Sequence, residues 1–399
     1  MDIVQRITDN FPELAAAMAA VPPHFSPNWL MQAASNRTGL DDFGDQAFMT
    51  GLERLCQSLN EDAHLNAYGR LLLSGQTTNH LSNRLLLQQM RKQHPERTSE
   101  GTLEGPIIVS GLPRTGTTFL HRLLSADPAH AFLPYWQVYR PIPLSEADTP
   151  QARIQETEAL MSIRLKLTPE LDKTHLIRPD SPEECFWMSS LSMVSRLFFN
   201  MAPVYSYQRW VSRTDKTAKY RDYHDLLCYL QGEHLGKRLV LKAPEHNDGL
   251  HELLTAIPSA RVVLTHRNMI EQMGSYFSLG RLTRKIAVTE LDTKKEAEAV
   301  IDMTDVSLQK MAEARLAHPG KILDVRYTDM MADPLKEVER IYSFCGLALS
   351  QDRRDALAQH HQNNPKGKHG EHQYSLAEFG LENDWVAEHY RDYTAQFIA

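Results

Sequence analysis

The stretch that decides the fold is PIIVSGLPRTGTTFLHRLL, residues Pro106 to Leu124. Its first part, Ile107 to Val109, is a short run of β-branched apolar residues, which is typical of a buried parallel strand. Gly111 and Gly116 then bracket a tight loop, and leucines recur after it at helical spacing. The pattern predicts a strand, a glycine loop and a helix. Such a unit captures anions, because the first turn of a helix presents unpaired N–H groups and the positive end of its dipole.

The loop nearly matches the phosphate loop of nucleoside-triphosphate enzymes, G-x-x-x-x-G-K-[ST], in which a lysine follows the second glycine. Here Thr117 stands in place of that lysine, and the cation of the loop is Arg114. The segment PRTGTTF instead resembles the 5′-phosphosulfate loop of sulfotransferases, P-[KR]-[ST]-G-T-T-W, which binds the sulfuryl donor 3′-phosphoadenosine 5′-phosphosulfate (PAPS). The resemblance implies that five residues hold the donor: Arg114, Thr115, Gly116, Thr117 and Thr118.

Three further strand patterns follow the loop, at Arg238 to Lys242, Arg261 to Thr265 and Ile322 to Val325. Helical segments separate them, and the last separation contains a helix from about Lys294 to Ala317. Strands that alternate with helices predict an α/β fold with a mostly parallel, P-loop-type sheet, whose ligands bind at the carboxyl ends of the strands. The residues that directly follow the strands are therefore the candidate site residues.

The first part of the chain has helical periodicity and no convincing strand. Four apolar residues recur at the spacing of one helix face: Phe48, Leu52, Leu55 and Leu59. A second helix is predicted from Thr77 to His94, where a proline follows. We therefore predict a helical N-terminal extension over residues 1–100 and a P-loop-like domain over residues 101–399.

The third long strand ends in His266-Arg267, and Ser275 follows eight residues after the arginine. If a helix begins at Asn268, Ser275 lies two turns along the face that starts near Arg267, so both side chains can reach one phosphate. This resembles the 3′-phosphate motif of sulfotransferases, in which a serine follows a strand-end arginine at the same spacing. A surface arginine and a helix serine that merely coincide are the alternative.

The last strand runs into Tyr327, within RYTDMMADPLKEVERIYSFCGL. This stretch is similar to the sulfotransferase pattern Y-E-D-[LM]-x-x-D-P, whose tyrosine lies against the adenine. Phe119 occupies the position at which many members have a tryptophan that stacks on the base, and a phenyl ring offers a smaller face. Packing in the core is the alternative for both rings. Lys366 and Lys368 loosely match the R-K-G segment of the family, which implies that they close over the 3′-phosphate.

The second long strand leads into KAPEH, from Lys242 to His246. Sulfuryl transfer needs cations where charge collects on the departing oxygen, and a base that takes the proton of the acceptor. We predict Lys242 and Arg114 as the cations and His246 as the base. Cytosolic sulfotransferases place the lysine and the histidine two residues apart, whereas bacterial relatives with K-[AS]-P-x-H resemble this segment more closely. Glu183 and Glu184 are the competing bases, or ordinary exposed glutamates in the first turn of a helix.

The segment from Pro182 to Met201 is apolar around much of its circumference as a helix. It is either a plain buried helix or the wall of an adaptable pocket, since methionine and aromatic side chains suit apolar ligands. Together with Trp136 and Trp210, it favours a lipid-like, polyketide or aromatic acceptor over a polysaccharide. Dimerisation through the N-terminal helices is left open.

The composition limits the alternatives. A formal net charge of −7 over 399 residues argues against a nucleic-acid binder with a general basic face. The four cysteines form no C-x-x-C pair, which fits a reducing cytoplasm. The apolar patch from Leu14 to Val21 is too short to span a bilayer and lacks a basic flank, so we predict a surface helix and no stable membrane insertion. The histidines near the C-terminus lack companion ligands, and we assign no metal.

These motifs together predict a cytoplasmic PAPS-dependent sulfotransferase of the bacterial branch. We expect it to move the sulfuryl group in line to a hydroxyl or an amine of a small or lipid-like acceptor, with 3′,5′-adenosine bisphosphate as its product. A P-loop kinase is the first alternative, but it requires a lysine at position 117 and a strand-end aspartate for magnesium. The strand ends here give Lys242, His266-Arg267 and Tyr327 instead. A non-catalytic nucleotide-binding protein of the same fold is the second alternative, and it would leave Lys242 and His246 idle.

Overall fold

The computed structural model describes residues 3–170, 177–363 and 376–398. Its sheet has parallel strands in the spatial order β2-β3-β1-β4-β5. The strands are β1 (Ile107–Gly111), β2 (His130–Ala131), β3 (Arg238–Lys242), β4 (Arg261–His266) and β5 (Ile322–Arg326). This sheet, with helices packed around it, confirms the predicted α/β fold class. The sequence pattern misses β2, because two residues are too few to show a period.

Helices account for most of the described chain. They are α1 (Ile3–Asn10), α2 (Pro12–Ala20), α3 (Pro27–Thr38), α4 (Ala47–Glu61), α5 (Ala67–Gln93), α6 (Thr117–Ser125), α7 (Tyr135–Tyr139), α8 (Pro150–Leu167), α9 (Phe186–Ser189), α10 (Leu197–Met201), α11 (Tyr205–Arg213), α12 (Thr217–Gln231), α13 (Leu250–Ala256), α14 (Met269–Arg284), α15 (Thr293–Ala317), α16 (Tyr327–Ala332), α17 (Pro334–Phe344), α18 (Gln351–Asn363), α19 (Asn383–His389) and α20 (Arg391–Phe397). Within the described ranges, no helix combines the length and the apolar character that crossing a bilayer requires.

Strand β1 lies at the centre of the sheet and is buried along its whole length. Ile108 packs in one apolar cluster, while Ile107 and Val109 pack in another. Burial on both faces explains why this run is apolar without alternation. Because Gly111 pairs with Thr265 of the parallel strand β4, the loop after β1 lies beside the residues that follow β3 and β4.

The N-terminal helices pack against the region of the sheet. The predicted stripe on α4 is buried: Phe48, Leu52, Leu55 and Leu59. Helix α5 begins earlier than predicted, at Ala67, because the Asn66 side chain caps it by accepting a backbone hydrogen bond. Leu87 of α5 shares a cluster with Ile108 of β1, so the core continues across residue 100. The division into two domains at that residue stays a prediction.

The apolar segment from Pro182 to Met201 is not one helix, as its pattern suggests, but a broken one. Helix α9 passes into a 3₁₀ turn over Ser190–Ser192, and Met193 then takes a left-handed φ of 56°. The Ser192 hydroxyl accepts a hydrogen bond from the Val194 N–H at 3.2 Å. Serine side chains that bond locally to the backbone compete with helical hydrogen bonds, and this explains the break.

A buried ion pair joins α14 and α15. The side chains of Arg284 and Glu296 are in contact and fully removed from solvent. Arg284 also donates to the Phe199 carbonyl at 2.8 Å, and its guanidinium lies over the Phe199 ring. Because each buried charge needs its partner, this pair fixes α14, the helix that carries Ser275, against its neighbours.

We predict that Glu296→Gln lowers the free energy of unfolding by about 3–5 kcal/mol, because it leaves the Arg284 charge buried without a counter-ion. Urea denaturation measures the loss. The matched control is Asp302→Asn, which breaks the partly exposed pair with Arg213 and is expected to cost less than about 1 kcal/mol. Equal effects of the two substitutions would contradict the structural role of the buried pair.

Candidate active site

The loop after β1 turns sharply enough to face the start of α6 toward a cavity. Gly111, Arg114 and Gly116 have positive φ angles of 137°, 71° and 91°. A Cβ at Gly116 would lie 2.5 Å from the Met330 Cε atom and 2.9 Å from the Tyr327 ring, so only glycine fits there. No side chain of the described residues caps the N-terminus of α6. Its first-turn N–H groups are therefore available to an anion.

The Thr115 side chain holds the loop in place through hydrogen bonds within the protein. Its hydroxyl donates to the Leu112 carbonyl at 2.7 Å and lies 2.6 Å from the Thr265 hydroxyl of β4. The side chain is fully buried. The Thr115 side chain is therefore not available to an anion, and only its backbone can take part in binding. Thr117 and Thr118, by contrast, line the cavity.

A cavity of about 900 Å³ lies over this loop. It brings together seven of the residues that the sequence predicts as donor-binding: Arg114, Gly116, Thr117, Thr118, Phe119, Arg267 and Tyr327. The Arg267 guanidinium lies 4.5 Å from the centroid of the Tyr327 ring and donates to the Arg114 carbonyl at 3.1 Å. Cationic and aromatic groups therefore converge at the N-terminus of α6.

Ser275 meets the loop through Arg114. Helix α14 begins directly after Asn268, whose side chain caps it, as the predicted motif requires. Ser275 is buried and accepts a hydrogen bond from the Arg114 Nε atom at 2.9 Å. Arg267 also pairs with Glu271 at 2.8 Å. The arginine and the serine of the predicted motif thus lie at one place, with Arg114 between the serine and the cavity.

His266, the last residue of β4, is fixed by the C-terminal helix. Its Nε2 atom lies 2.8 Å from the Asp324 carboxylate and its Nδ1 atom 3.1 Å from the Tyr393 hydroxyl. The ring stacks on Phe397 with 4.3 Å between centroids. Helix α20 therefore supports the residue next to Arg267. The sequence gives no sign of this contact, because residues 266 and 393 lie far apart along the chain.

Lys242 does not line the cavity itself, but it contacts two residues that do, Glu184 and Thr118. The Lys242 Nζ atom contacts the Glu184 carboxylate and lies 3.3 Å from the Thr118 hydroxyl. Both Glu183 and Glu184 are buried, so their interpretation as exposed first-turn glutamates is wrong. They are drawn inward because the following N–H, that of Cys185, donates to the Lys242 carbonyl at 2.9 Å.

His246 lies away from the loop. Its ring is fully buried between Tyr220 and Tyr223, with centroids 5.7 and 5.5 Å away, and its Nδ1 atom is 3.1 Å from the Tyr220 hydroxyl. Burial lowers the pKa of His246 to about 4. It does not line the cavity, whereas Glu184 does. The structure does not bring His246 to the predicted site, and its role as the base stays a prediction that this placement disfavours.

Glu245, the neighbour of His246, lines the cavity, although no motif in the sequence marks it. Its carboxylate accepts hydrogen bonds from Ser189 at 2.6 Å, Ser195 at 2.7 Å and Lys219 at 2.8 Å. Burial acts to raise the pKa of Glu245, but Lys219 and the hydrogen bonds outweigh it and lower the pKa to about 2. Glu245 therefore stays ionised and links the cavity wall to Ser189, Ser195 and Lys219.

The remaining walls of the cavity are mostly apolar and aromatic. They come from α2, α5, α7, α8, α9, α10 and α14 and include Leu14, Tyr68, Leu71, Leu72, Tyr135, Tyr139, Leu160, Phe186, Trp187, Leu197, Met201 and Leu279. The pocket-wall interpretation of the segment after Pro182 is thus supported for four of these residues. Trp136 and Trp210 do not contribute, since Trp136 lies under Arg153 and Trp210 packs beside Tyr207.

The C-terminal basic loop with Lys366 and Lys368 lies outside the described residues. Just before it, His360 and His361 line the cavity, and the His361 ring meets Phe119 edge-on at 5.8 Å. Over residues 3–170, 177–363 and 376–398, no group of three histidine, cysteine or acidic side chains is placed to hold a metal ion. The sequence-based assignment of no metal stays a prediction.

Solved structures resemble this chain along nearly its whole length. The crystal structure of sulfotransferase STF1 from Mycobacterium tuberculosis H37Rv is 32% identical with a TM-score of 0.80, over 92% of this chain and 99% of that one. The structure of sulfotransferase STF9 from Mycobacterium avium is 26% identical with a TM-score of 0.81, over 94% and 97%. The family model described as "Sulfotransferase family" matches residues 106–351.

Curated relatives match a shorter region. The omega-hydroxy-beta-dihydromenaquinone-9 sulfotransferases Stf3 of Mycobacterium bovis and Mycobacterium tuberculosis are 24% identical over 254 residues. The match covers 61% of this chain and 63% of theirs, so this chain spans less than two thirds of the length of those relatives.

We predict a pH-dependent contribution of Glu183 to stability. Burial raises its pKa to about 7, so the folded state holds this proton more tightly than the unfolded state does. That contribution is complete below about pH 4.5 and is lost as the pH rises through about 7. Between pH 5 and pH 8 we expect the stability advantage of the wild type over Glu183→Gln to fall by about 1–3 kcal/mol.

Urea unfolding at a series of pH values measures this difference. Glu158→Gln, at an exposed position on α8, is the control and is expected to follow the wild-type curve. Parallel stability curves for the wild type and Glu183→Gln would show that Glu183 ionises normally in the folded protein.

Proposed function

The chain belongs to the sulfotransferase family, and we propose that it transfers a sulfuryl group from PAPS to a hydroxyl group of an apolar, lipid-like acceptor. The observation that carries this proposal is the contact between Lys242 and Glu184. Lys242 also lies 3.3 Å from the hydroxyl of Thr118, in the first turn of α6, and both Glu184 and Thr118 line the cavity. A cation for the donor and a base for the acceptor thus stand side by side.

The loop region suits the donor by its charge and shape. Arg114 and Arg267 offer cations in the cavity wall, Lys242 offers a third beside the Thr118 hydroxyl, and the uncapped start of α6 offers N–H groups. Tyr327 and Phe119 offer ring faces to a base. PAPS, when bound there, supplies the sulfuryl group and an adenosine 3′,5′-bisphosphate leaving group. A kinase would need a lysine where Thr117 stands.

Different side chains of the protein have different roles in the proposed transfer. In the absence of an anion, Lys242 is neutralised by Glu184. An anionic donor competes for Lys242, which then stabilises the charge that develops on the departing oxygen, together with the Thr118 hydroxyl and Arg114. Glu184, released from the lysine, accepts the proton of the acceptor hydroxyl. Glu245 keeps its charge and holds Ser189 and Ser195 in place beside the cavity.

The acceptor is proposed to be lipid-like because the walls beyond Glu184 are apolar and aromatic. The relatives named Stf3 are described as sulfotransferases of a menaquinone derivative, which agrees with a lipid-like acceptor. Cytoplasmic location and the possibility of a homodimer stay predictions from the sequence.

Calorimetry with 3′,5′-adenosine bisphosphate tests the donor site. We expect magnesium-independent binding that weakens about 10–100-fold in Arg267→Ala, since a charge-assisted bond to phosphate is worth about 1.5–3 kcal/mol. Arg281→Ala, on the helix α14 that follows Arg267 and paired with Glu378 at the surface, is the matched control and should bind as the wild type does. Binding of ATP with magnesium, and not of the bisphosphate, would overturn the proposal.

Steady-state kinetics of two variants test the base. Glu184→Gln is expected to lower kcat by roughly 10²–10⁴-fold while it changes bisphosphate affinity only a few-fold, because it removes the proton acceptor. His246→Gln is expected to lower kcat by less than about tenfold, since the ring does not reach the cavity. The reverse order of effects would return the base to His246.

A further inference from the structure

The short helix α10 carries one polar side chain, Asn200, into the cavity wall beside the apolar Leu197 and Met201. We propose that Asn200 selects the acceptor by donating a hydrogen bond from its amide nitrogen to a neutral oxygen atom, such as a carbonyl, that lies apart from the hydroxyl to be sulfated. This inference rests on the proposed function and deepens it, because it describes the acceptor in the same cavity. It predicts an acceptor with two separate oxygen groups.

The Asn200 amide has an accessible donor. Asn200 lines the cavity and is partly exposed. Its Oδ1 atom accepts a hydrogen bond from the Tyr276 hydroxyl at 3.3 Å. Its Nδ2 atom donates to no residue within the described ranges, and it is not among the unpaired polar atoms that are removed from solvent. The amide NH₂ group is therefore open to a ligand in the cavity.

Tyr276 fixes the orientation of this amide. Tyr276 lies on α14, lines the cavity and is 5% exposed. Burial lowers the pKa of Arg284, and a hydrogen bond between its guanidinium and the Tyr276 hydroxyl opposes this shift. Because a guanidinium only donates, the tyrosine oxygen accepts from it, and the tyrosine O–H is left to donate to Asn200. The amide oxygen is thereby occupied, and the amide nitrogen is the atom left for the cavity.

Arg284 also holds the backbone beside Asn200. It donates to the Phe199 carbonyl at 2.8 Å, and its guanidinium lies 4.4 Å from the centroid of the Phe199 ring. A Cβ at Gly280 would lie 1.9 Å from the Arg284 Nη2 atom, so the arginine needs the glycine in order to lie across this face of α14. Since Arg284 is itself held by Glu296, a buried ion pair places both Asn200 and the tyrosine that orients it.

The charges near Asn200 are balanced. Arg196, one helical turn before it, pairs with Asp248 at 2.8 Å, and Arg284 pairs with Glu296. An amide NH₂ group donates and does not accept, so the ligand atom that it binds must accept a hydrogen bond. A carboxylate would bring an uncompensated charge to this part of the wall, which is costly. A neutral oxygen, as in a ketone, an ester or an ether, meets both requirements.

Calorimetry without any sulfuryl donor tests this role with four probes: 1-octanol, 8-hydroxyoctan-2-one, 8-hydroxyoctan-3-one and 8-hydroxyoctan-4-one. All four share the chain length and the hydroxyl, and each ketone replaces one CH₂ group by a carbonyl. In a cavity without a donor, the ketones would bind more weakly than octanol, because the carbonyl loses its bound water on entry. We expect the wild type to bind at least one ketone about 3–10-fold more tightly than octanol.

Two variants of Asn200 and one control locate the effect. Asn200→Leu removes the amide at nearly constant shape, and we expect octanol then to bind more tightly than every ketone. Asn200→Asp keeps an acceptor for Tyr276 but has no N–H, and it is also expected to lose the preference. Asn36→Leu makes the same substitution at an exposed position of α3, where the amide pairs with Gln32, and should keep the wild-type preference.

Tyr276→Phe tests the orientation of the amide. It removes the hydroxyl that holds the Asn200 oxygen, and we expect the preference for the ketone to fall about 2–3-fold while octanol affinity stays the same. Thermal unfolding checks that each variant is folded.

Two results would overturn the role of Asn200. One is a wild type that binds no ketone more tightly than octanol. The other is a preference that survives in Asn200→Leu or, if that variant is not folded, in Asn200→Asp. Failure of the proposed function gives a different result. A protein that shows the Asn200-dependent preference but transfers no sulfuryl group from PAPS retains this site and lacks the proposed activity. A protein that sulfates octanol and shows no preference retains the activity and lacks this site.

Discussion

The turn from β1 into α6 is the constraint on which the rest of the site depends. The strand ends at Gly111, and the helix starts at Thr117. The chain reverses between them through left-handed backbone at Arg114 and Gly116, with Tyr327 and Met330 packed where a Cβ of Gly116 would lie. This close packing aims the first turn of α6 at the carboxyl ends of β3 and β4. Lys242, which ends β3, then reaches Thr118, and Arg267, which follows β4, reaches the Arg114 carbonyl, so cations gather at the loop of a protein whose net charge is −7.

Lys242 links the predicted donor side of the cavity to the predicted acceptor side, because it contacts one residue of each. On the loop side it approaches Thr118, and on the acceptor side it contacts Glu184. In our account the donor takes over the lysine and thereby frees the carboxylate, so that the base becomes available only when the sulfuryl group is present. Such coupling limits the exposure of a free carboxylate in a largely apolar cavity, where an unpaired charge is costly.

The features that depend on local sequence patterns could be predicted from the sequence. The long strands, the start of α14 at Asn268 and the glycine loop follow from apolar runs, capping residues and glycines that are neighbours in the chain. The features that depend on contacts between residues far apart in the chain could not be predicted. The inward position of Glu184 requires a hydrogen bond from Cys185 to β3, and the seclusion of His246 requires two tyrosines of α12.

A crystal structure of the protein with 3′,5′-adenosine bisphosphate tests the central claim most directly. The account predicts the 5′-phosphate at the N–H groups of Thr117 and Thr118, the 3′-phosphate at Arg267, and the Lys242 ammonium turned from Glu184 toward the 5′-phosphate. A bisphosphate bound elsewhere, or a Lys242–Glu184 contact that stays intact beside a fully occupied loop, would contradict it.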